Sequence, residues 1–440
     1  THSPLLRDGV WLATGLGSLL YGYALLFVSH TLAASAAFGG LMLLSRTRGA
    51  PSAQRRNLFF AGLLAASVTA AEYPGVIVSV ALSMLALATV RPWRGLLFFG
   101  AGAAVPTVAV MHFQWRAFGS PFSPGHLFLE NATFRAVHHQ GVFGADAFRL
   151  EAAHDLLFDP GFGLFPLTPL LLPGLVGLVS FVAVPRLTSA KAGGRAGVAV
   201  VRTAAAIALL TWLATATLSN WRGGWTLGPR YLATIVPFVA WAALEALNRA
   251  HRVAPRSTEA FTIGALATSL LASGLPSALY PHLPEAITRP LPELLLPMIT
   301  GDYAPFNAGR WLGLHGSMSL LPMAVVTAAL WASVVCAASW PQIAMPWTRK
   351  LRLAWPLWTR RIAGGALVAA ILSAPLLAAP TDPKLVAAAA EARDFVLGHF
   401  SPIDAAHPQA EGVDTEPALH ERRRHGGSDV EADGHRQRDR

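Results

Sequence analysis

The chain has 440 residues, 53% of them hydrophobic and 13% charged, with a mean hydropathy of +0.45 and a formal net charge of +10. Soluble domains carry roughly 25% charged residues, so this composition excludes an ordinary water-soluble fold. One cysteine, Cys336, excludes a disulfide framework or a cysteine-based metal site.

Apolar runs recur from end to end, near the ~20 residues that cross a bilayer core. They predict an all-α polytopic integral membrane protein with about 10–11 transmembrane helices and short helices in the outer loops. An outer-membrane barrel is excluded, because its alternating ten-residue segments are missing. In chain order the spans fall near 9–25, 29–45, 57–72, 74–90, 95–114 and 161–184. Further spans fall near 203–219, 230–247, 260–280, 317–338 and 362–380, and the first two also read as one broken helix. Arg46, Arg48, Arg55 and Arg56 fill one turn, and Arg91 and Arg94 another. Arg186, Lys191, Arg195 and Arg202 follow, then Arg249, Arg252 and Arg256, then Arg349, Lys350, Arg352, Arg360 and Arg361. All lie on alternate connections, which the positive-inside rule assigns to the cytoplasm. Loops 116–160, 219–230 and 281–316 are then expected on the outer face.

Residues 1–380 read as the transmembrane domain and 381–407 as a short outer segment with a helix near 384–400. Residues 408–440 are charged and without apolar periodicity, so they read as disordered. The segment 381–440 holds 8 Lys/Arg against 12 Asp/Glu. Its Arg422-Arg423-Arg424 run reads as a solvated stretch, and no nucleic-acid partner is expected.

Glu72 is the only carboxylate between Asp8 and Glu130, in Ala70-Ala71-Glu72-Tyr73-Pro74-Gly75. A lone ionisable group at membrane depth is costly and marks a functional-site hypothesis; a solvated turn before the proline is the alternative. The 116–160 loop is long enough to suspect function. Its segment Ala147–Phe158 predicts an interfacial helix, with Phe148, Leu150, Leu156, Leu157 and Phe158 toward the bilayer. Glu151 and Asp155 then share one face of it. His138, His139, His154 and Asp155 are suitable ligand types, but their spacing matches no zinc signature, so no metal residue is assigned. No cofactor is assigned either, and a divalent cation stays open. The triplet Asn131-Ala132-Thr133 matches a glycosylation acceptor and carries little weight.

The hairpin Asn220-Trp221-Arg222-Gly223-Gly224-Trp225-Thr226-Leu227-Gly228-Pro229-Arg230-Tyr231 brings two arginines to the outer side, against the charge bias. Guanidinium forks match phosphate oxygens, and glycines admit a close ligand. The set suits an anionic phosphate at the membrane surface, or an aromatic belt with arginines reaching lipid phosphates. The segment Gly301–Leu314, with Asp302 and Arg310, is either a structured cap or an edge of the same cavity.

These motifs resemble, in matching order over roughly residues 10–320, the large bacterial membrane glycosyltransferases of the GT-C superfold. The similarity lies in Ala71-Glu72-Tyr73-Pro74, the Phe118-Gly119-Ser120-Pro121 loop, Leu156–Pro166, Trp221–Trp225 and Gly228–Tyr231. The resemblance implies a place in the inner or plasma membrane of a bacterium and sugar transfer from a polyprenyl-phosphate donor to an acceptor on the non-cytoplasmic face, with membrane lipid as the other partner. On that reading Glu72, Asp155 and Asp159 are the catalytic candidates. His30, Tyr73, Trp221, Arg222, Trp225, Arg230 and Tyr231 are the substrate-binding candidates. The family's catalytic carboxylate lies in its first outer loop, which the resemblance places upstream of Thr1. A transporter or flippase of a lipid-linked or anionic substrate, and an inactive membrane scaffold, remain the alternatives.

Overall fold

The computed structural model describes residues 3–46, 51–130, 136, 141, 144–184, 195–337 and 347–399. The chain divides into Thr1–Leu397 and a second unit from Gly398, of which only residues 398 and 399 are described. The charged tail, with Arg422–Arg424, lies outside the described residues, as do Asn131, Thr133, His138 and His139.

The described residues form helices and turns, with one isolated bridge between Ala145 and Leu218. In lipid each backbone N–H and C=O must be satisfied within its own segment, which helices achieve. The long elements are α1 (Pro4–Leu16), α2 (Leu19–Leu25), α3 (His30–Ser45), α4 (Pro51–Ala71), α5 (Val76–Thr89) and α6 (Gly95–Phe118). They continue as α7 (Leu150–Phe158), α8 (Gly174–Ala183), α9 (Arg195–Thr215), α10 (Val236–Val253) and α11 (Pro255–Ser269). The last are α12 (Leu321–Ala337), α13 (Trp347–Leu377) and α14 (Pro383–His399).

Among the described residues six helical stretches are long and apolar enough to cross a membrane: Gly95–Phe118, Arg195–Thr215, Arg230–Val253, Pro255–Leu279, Gly316–Cys336 and Trp358–Leu377. In the first and the last two of these only 11% of the apolar window is buried. So much exposed apolar surface requires an apolar solvent, and the protein is a polytopic α-helical membrane protein. Other expected spans are shorter, at His30–Ser45, Tyr73–Thr89 and Pro169–Ala183. The expected 9–25 span is split into α1 and α2, of 13 and 7 residues.

Three breaks meet at one place. Between α1 and α2, Ser18 is extended and its Oγ accepts the Leu20 N–H at 3.2 Å, capping α2. The 161–184 span is cut into Leu164–Leu167, Pro169–Leu171 and α8, because Pro169 and Pro173 cannot continue a helix. Helix α11 runs through a π turn at Leu270–Gly274 into Leu275–Leu279. A Cβ on Gly17 would lie 3.0 Å from Ser269 Cβ, and one on Gly274 2.8 Å from the Leu16 carbonyl oxygen. Ser273 Oγ donates to Leu167 O at 2.7 Å, and Ser269 Oγ accepts the Leu170 N–H at 3.4 Å. Ser18, Thr168, Ser269 and Ser273 are wholly buried. Hydroxyls here satisfy backbone groups that the breaks release, as polar residues do between membrane helices.

Helices α4 and α6 approach through small residues. A Cβ on Gly102 would collide with the Phe59 carbonyl, and one on Gly62 with the Phe99 carbonyl, whereas Gly100 faces open space. Gly102→Ala is therefore expected to destabilise by about 1–3 kcal/mol or more, because a backbone carbonyl cannot yield. Gly100→Ala is expected to be neutral or stabilising by up to ~1 kcal/mol. Unfolding midpoints in mixed detergent micelles check the pair, and equal midpoints would refute this packing.

One sequence expectation is corrected. Leu156 and Leu157 of α7 are buried and do not face a bilayer; Phe148, Leu150 and Phe158 are exposed. The inner face of α7 packs on α9 and the Leu164–Leu167 turn, where Trp212 Nε1 donates to Ala153 O at 2.9 Å. The 281–316 connection carries a short helix, as expected for these loops. Leu291–Leu295 and Leu296–Thr300 form a continuous helical stretch with Leu294, Leu295 and Met298 fully buried. The expected C-terminal helix is present as α14, with Ala389 and Val396 buried.

Candidate functional site

Helix α4 ends at Ala71, and Glu72 follows with extended backbone (φ −149°, ψ 121°) ahead of the Tyr73–Gly75 turn. Pro74 enforces this exit, because it lacks the N–H that would bond the Ala70 carbonyl and its ring would clash with that carbonyl if α4 continued. Gly75 completes the turn close to Val68, where a Cβ would meet Val68 Cγ1 at 2.7 Å. The turn aims the Glu72 side chain at the start of α3.

There the Glu72 carboxylate is 10% exposed and the His30 ring 12% exposed. Glu72 Oε1 lies 2.5 Å from His30 Nδ1, although the ring N–H is not aligned on the oxygen as a hydrogen bond. Ser29 Oγ donates to the same oxygen at 3.2 Å. A carboxylate this covered is not a solvated turn residue. Burial of a lone charge is costly, and its neighbours here are an imidazole and a hydroxyl, with no arginine or lysine among its ion-pair partners in the described residues.

The imidazole stands edge-on to Tyr23, with centroids 4.8 Å apart. Tyr23 is buried; its hydroxyl donates to Leu227 O at 3.0 Å and shares a hydrogen bond with Thr226 Oγ1 at 2.8 Å. Thr226 Oγ1 in turn donates to Gly228 O at 2.7 Å. Tyr23 thus joins the Glu72–His30 pair to the 220–231 hairpin. On the other side Tyr73 OH accepts from Gln114 Nε2 at 3.1 Å and from the Gly125 N–H at 3.3 Å. That ties the end of α6 and the loop after it to the Glu72 turn.

The hairpin turns through three glycines in left-handed geometry, Gly223 (φ 82°), Gly224 (φ 80°) and Gly228 (φ 67°). The Arg230 guanidinium stacks over its neighbour Tyr231 at 5.0 Å and donates from Nη2 to that residue's hydroxyl at 3.2 Å. Its Nε is buried and has no hydrogen-bond partner among the described residues. A Cβ on Gly223 would sit 2.6 Å from this Nε, so a glycine there leaves room for the arginine. Arg222 lies over Phe162 at 4.6 Å and over Trp221 at 5.2 Å. It lines a narrow cleft with Phe162, Gly224, Thr226 and Glu285. Trp225 is half exposed and meets Phe395 of α14 edge-on at 5.7 Å.

Asp155 and Asp159 have other roles locally. Asp155 Oδ1 is 3.0 Å from Nδ1 of the exposed His154, and Asp159 Oδ1 accepts the Gly161 N–H at 2.9 Å. No hydrogen bond or ion pair among the described residues joins either to Glu72. Nearby, Arg149 donates to Asp146 at 2.7 Å and to the Leu218 carbonyl at 3.1 Å. That pairing holds the Asp146 carboxyl below the usual range and fastens the 144–149 segment to the hairpin's base.

Sequence reasoning missed Tyr23, Ser29, Thr226 and Glu285. Ser29 adjoins His30, and Thr226 lies inside the hairpin already singled out, so both had a local signal; Tyr23 and Glu285 had none. No protein-family model, curated protein or solved structure matches the chain.

Proposed function

We propose that the protein is a membrane glycosyltransferase that moves a sugar from a polyprenyl-phosphate donor to an acceptor hydroxyl at the non-cytoplasmic face of a bacterial inner membrane. The observation that carries this reading is the covered Glu72–His30 pair, linked through Tyr23 to a hairpin that holds Arg222 and Arg230. In the reaction the acceptor oxygen bonds to the anomeric carbon as the bond from that carbon to the phosphate oxygen breaks. The acceptor's proton passes to the Glu72–His30 pair, in which the carboxylate stabilises the imidazolium that forms. The electron pair leaves with the lipid phosphate, whose growing charge the arginines offset. The GT-C likeness of the motifs supports the same chemistry.

The test is transfer of labelled sugar from a panel of polyprenyl-phosphate sugars by the purified protein in liposomes. Turnover with one donor supports the reading, and no turnover across the panel overturns it. The meeting of three broken helices at buried hydroxyls favours a second reading, transport, since discontinuous helices build the substrate sites of transporters. Movement of an intact lipid-linked sugar across the liposome bilayer, without transfer, would select it.

A further inference from the structure

Helices α11 and α13 lie side by side in parallel. Arg361 forks onto Glu259, with Nε–Oε2 at 2.7 Å and Nη2–Oε1 at 2.8 Å. Above it a Cβ on Gly364 would lie 3.0 Å from Ala260 Cβ, and further on Thr268 Oγ1 and Ser373 Oγ are 3.3 Å apart. In this register α11 begins, at Pro255, level with the turn of α13 just before Trp358. Helix α13 nevertheless starts at Trp347 and runs unbroken into its apolar stretch Trp358–Leu377. Twenty residues of helix span ~30 Å, the thickness of the hydrocarbon core. The eleven residues before Trp358 therefore project about 16 Å beyond it, past the end of α11, into the headgroup layer.

The charge at this level is one-sided. Arg252 and Arg256, at the turn from α10 to α11, are exposed, as is Arg360. Arg256 sits one turn before Glu259 on α11, beside the ion pair. Glu259 is taken up by Arg361, and among the described residues no carboxylate forms an ion pair with Arg252, Arg256 or Arg360. The sequence holds no Asp or Glu between Asp302 and Asp382, and it adds Arg349, Lys350 and Arg352 within the projecting turns of α13. Trp355 is 64% exposed at the same height, the place where indole rings settle between tails and headgroups.

We infer that Arg252, Arg256 and Arg360, with the projecting start of α13, form a docking surface for the headgroups of anionic phospholipids in the leaflet at that end of the bundle. Clustered cations just outside a membrane span attract anionic lipid, and the surface falls within a Debye length of the phosphates. The lipid anchors α13 where its protein partner ends, independently of the chemistry at Glu72.

Native mass spectrometry of the purified protein with phosphatidylglycerol or phosphatidylcholine tests this directly. Phosphatidylglycerol is expected to be retained in preference to phosphatidylcholine. The triple variant Arg252→Gln/Arg256→Gln/Arg360→Gln is expected to lose that preference, by about fivefold per charge removed. Replacement of all three by lysine is expected to keep it, and added salt to weaken it. Should the triple variant unfold in neutral detergent, Arg360→Gln alone is expected to show the single fivefold step. Equal retention of both lipids by the wild type overturns the inference. So does a folded glutamine variant that keeps the preference, or displacement of the lipid by inorganic phosphate.

Discussion

Glu72→Gln is expected to lower sugar transfer by about 10²- to 10⁴-fold, the contribution of a positioned general base. The substitution is nearly isosteric, and the glutamine carbonyl still accepts from Ser29, so folding is expected to survive. What it removes is the charge beside His30. Without it the imidazolium that would form on proton transfer has no counter-ion, and His30 becomes a poor base for the acceptor hydroxyl. His30→Gln is expected to cost a similar factor, and the double variant little more than either single one, because residues acting as one unit are grossly non-additive. Ser29→Ala removes only one hydrogen bond and is expected to cost ~1 kcal/mol, less than about tenfold in rate. Initial rates at saturating labelled donor measure all four. A Glu72→Gln enzyme with a near-normal rate would remove the pair from the chemistry.

Much of this molecule was legible in its sequence, for reasons that also explain the rest. Apolar length and basic turns marked the helices, because the bilayer imposes both. The helix at Pro383–His399 stood out through its alanine run, whereas the break at Gly17-Ser18 fell inside a stretch, 9–25, that reads as one span. Glu72 and His30 were each conspicuous, Glu72 because a charge in apolar sequence has few harmless explanations. Their pairing was not, since they lie 42 residues apart and nothing local encodes the turn of α4 back onto α3. Tyr23 looked like one more aromatic at a span's end, and only the fold brings it to Thr226, 203 residues away. Leu156 and Leu157 misled because an apolar helix face looks the same whether lipid or protein covers it. The junction of three breaks was invisible too, since Ser269 and Ser273 are ordinary residues for a helix until Leu167 and Leu170 come to meet them.

Arg230→Gln is expected to lower kcat by about 10²- to 10³-fold, as removal of a charge-stabilising donor does elsewhere. The arginine is held for a task its present contacts do not complete. One edge of the guanidinium is placed by Tyr231, while the buried Nε has no acceptor among the described residues. An unsatisfied buried donor costs about 1–3 kcal/mol, a cost that a phosphate oxygen would relieve when the donor arrives. Lysine supplies charge without the fork, so Arg230→Lys is expected to rescue little. The neighbouring glycines separate placement from charge. Gly223→Ala puts a methyl 2.6 Å from Arg230 Nε and must push the guanidinium aside, whereas Gly224→Ala points into open space. Both residues have positive φ, so both alanines carry a similar strain of about 1–2 kcal/mol. Thermal unfolding is then expected to shift equally in the two, while Gly223→Ala alone loses transfer as Arg230→Gln does. Equal activity in the two alanine variants would mean that the position of the Arg230 guanidinium does not matter to the reaction.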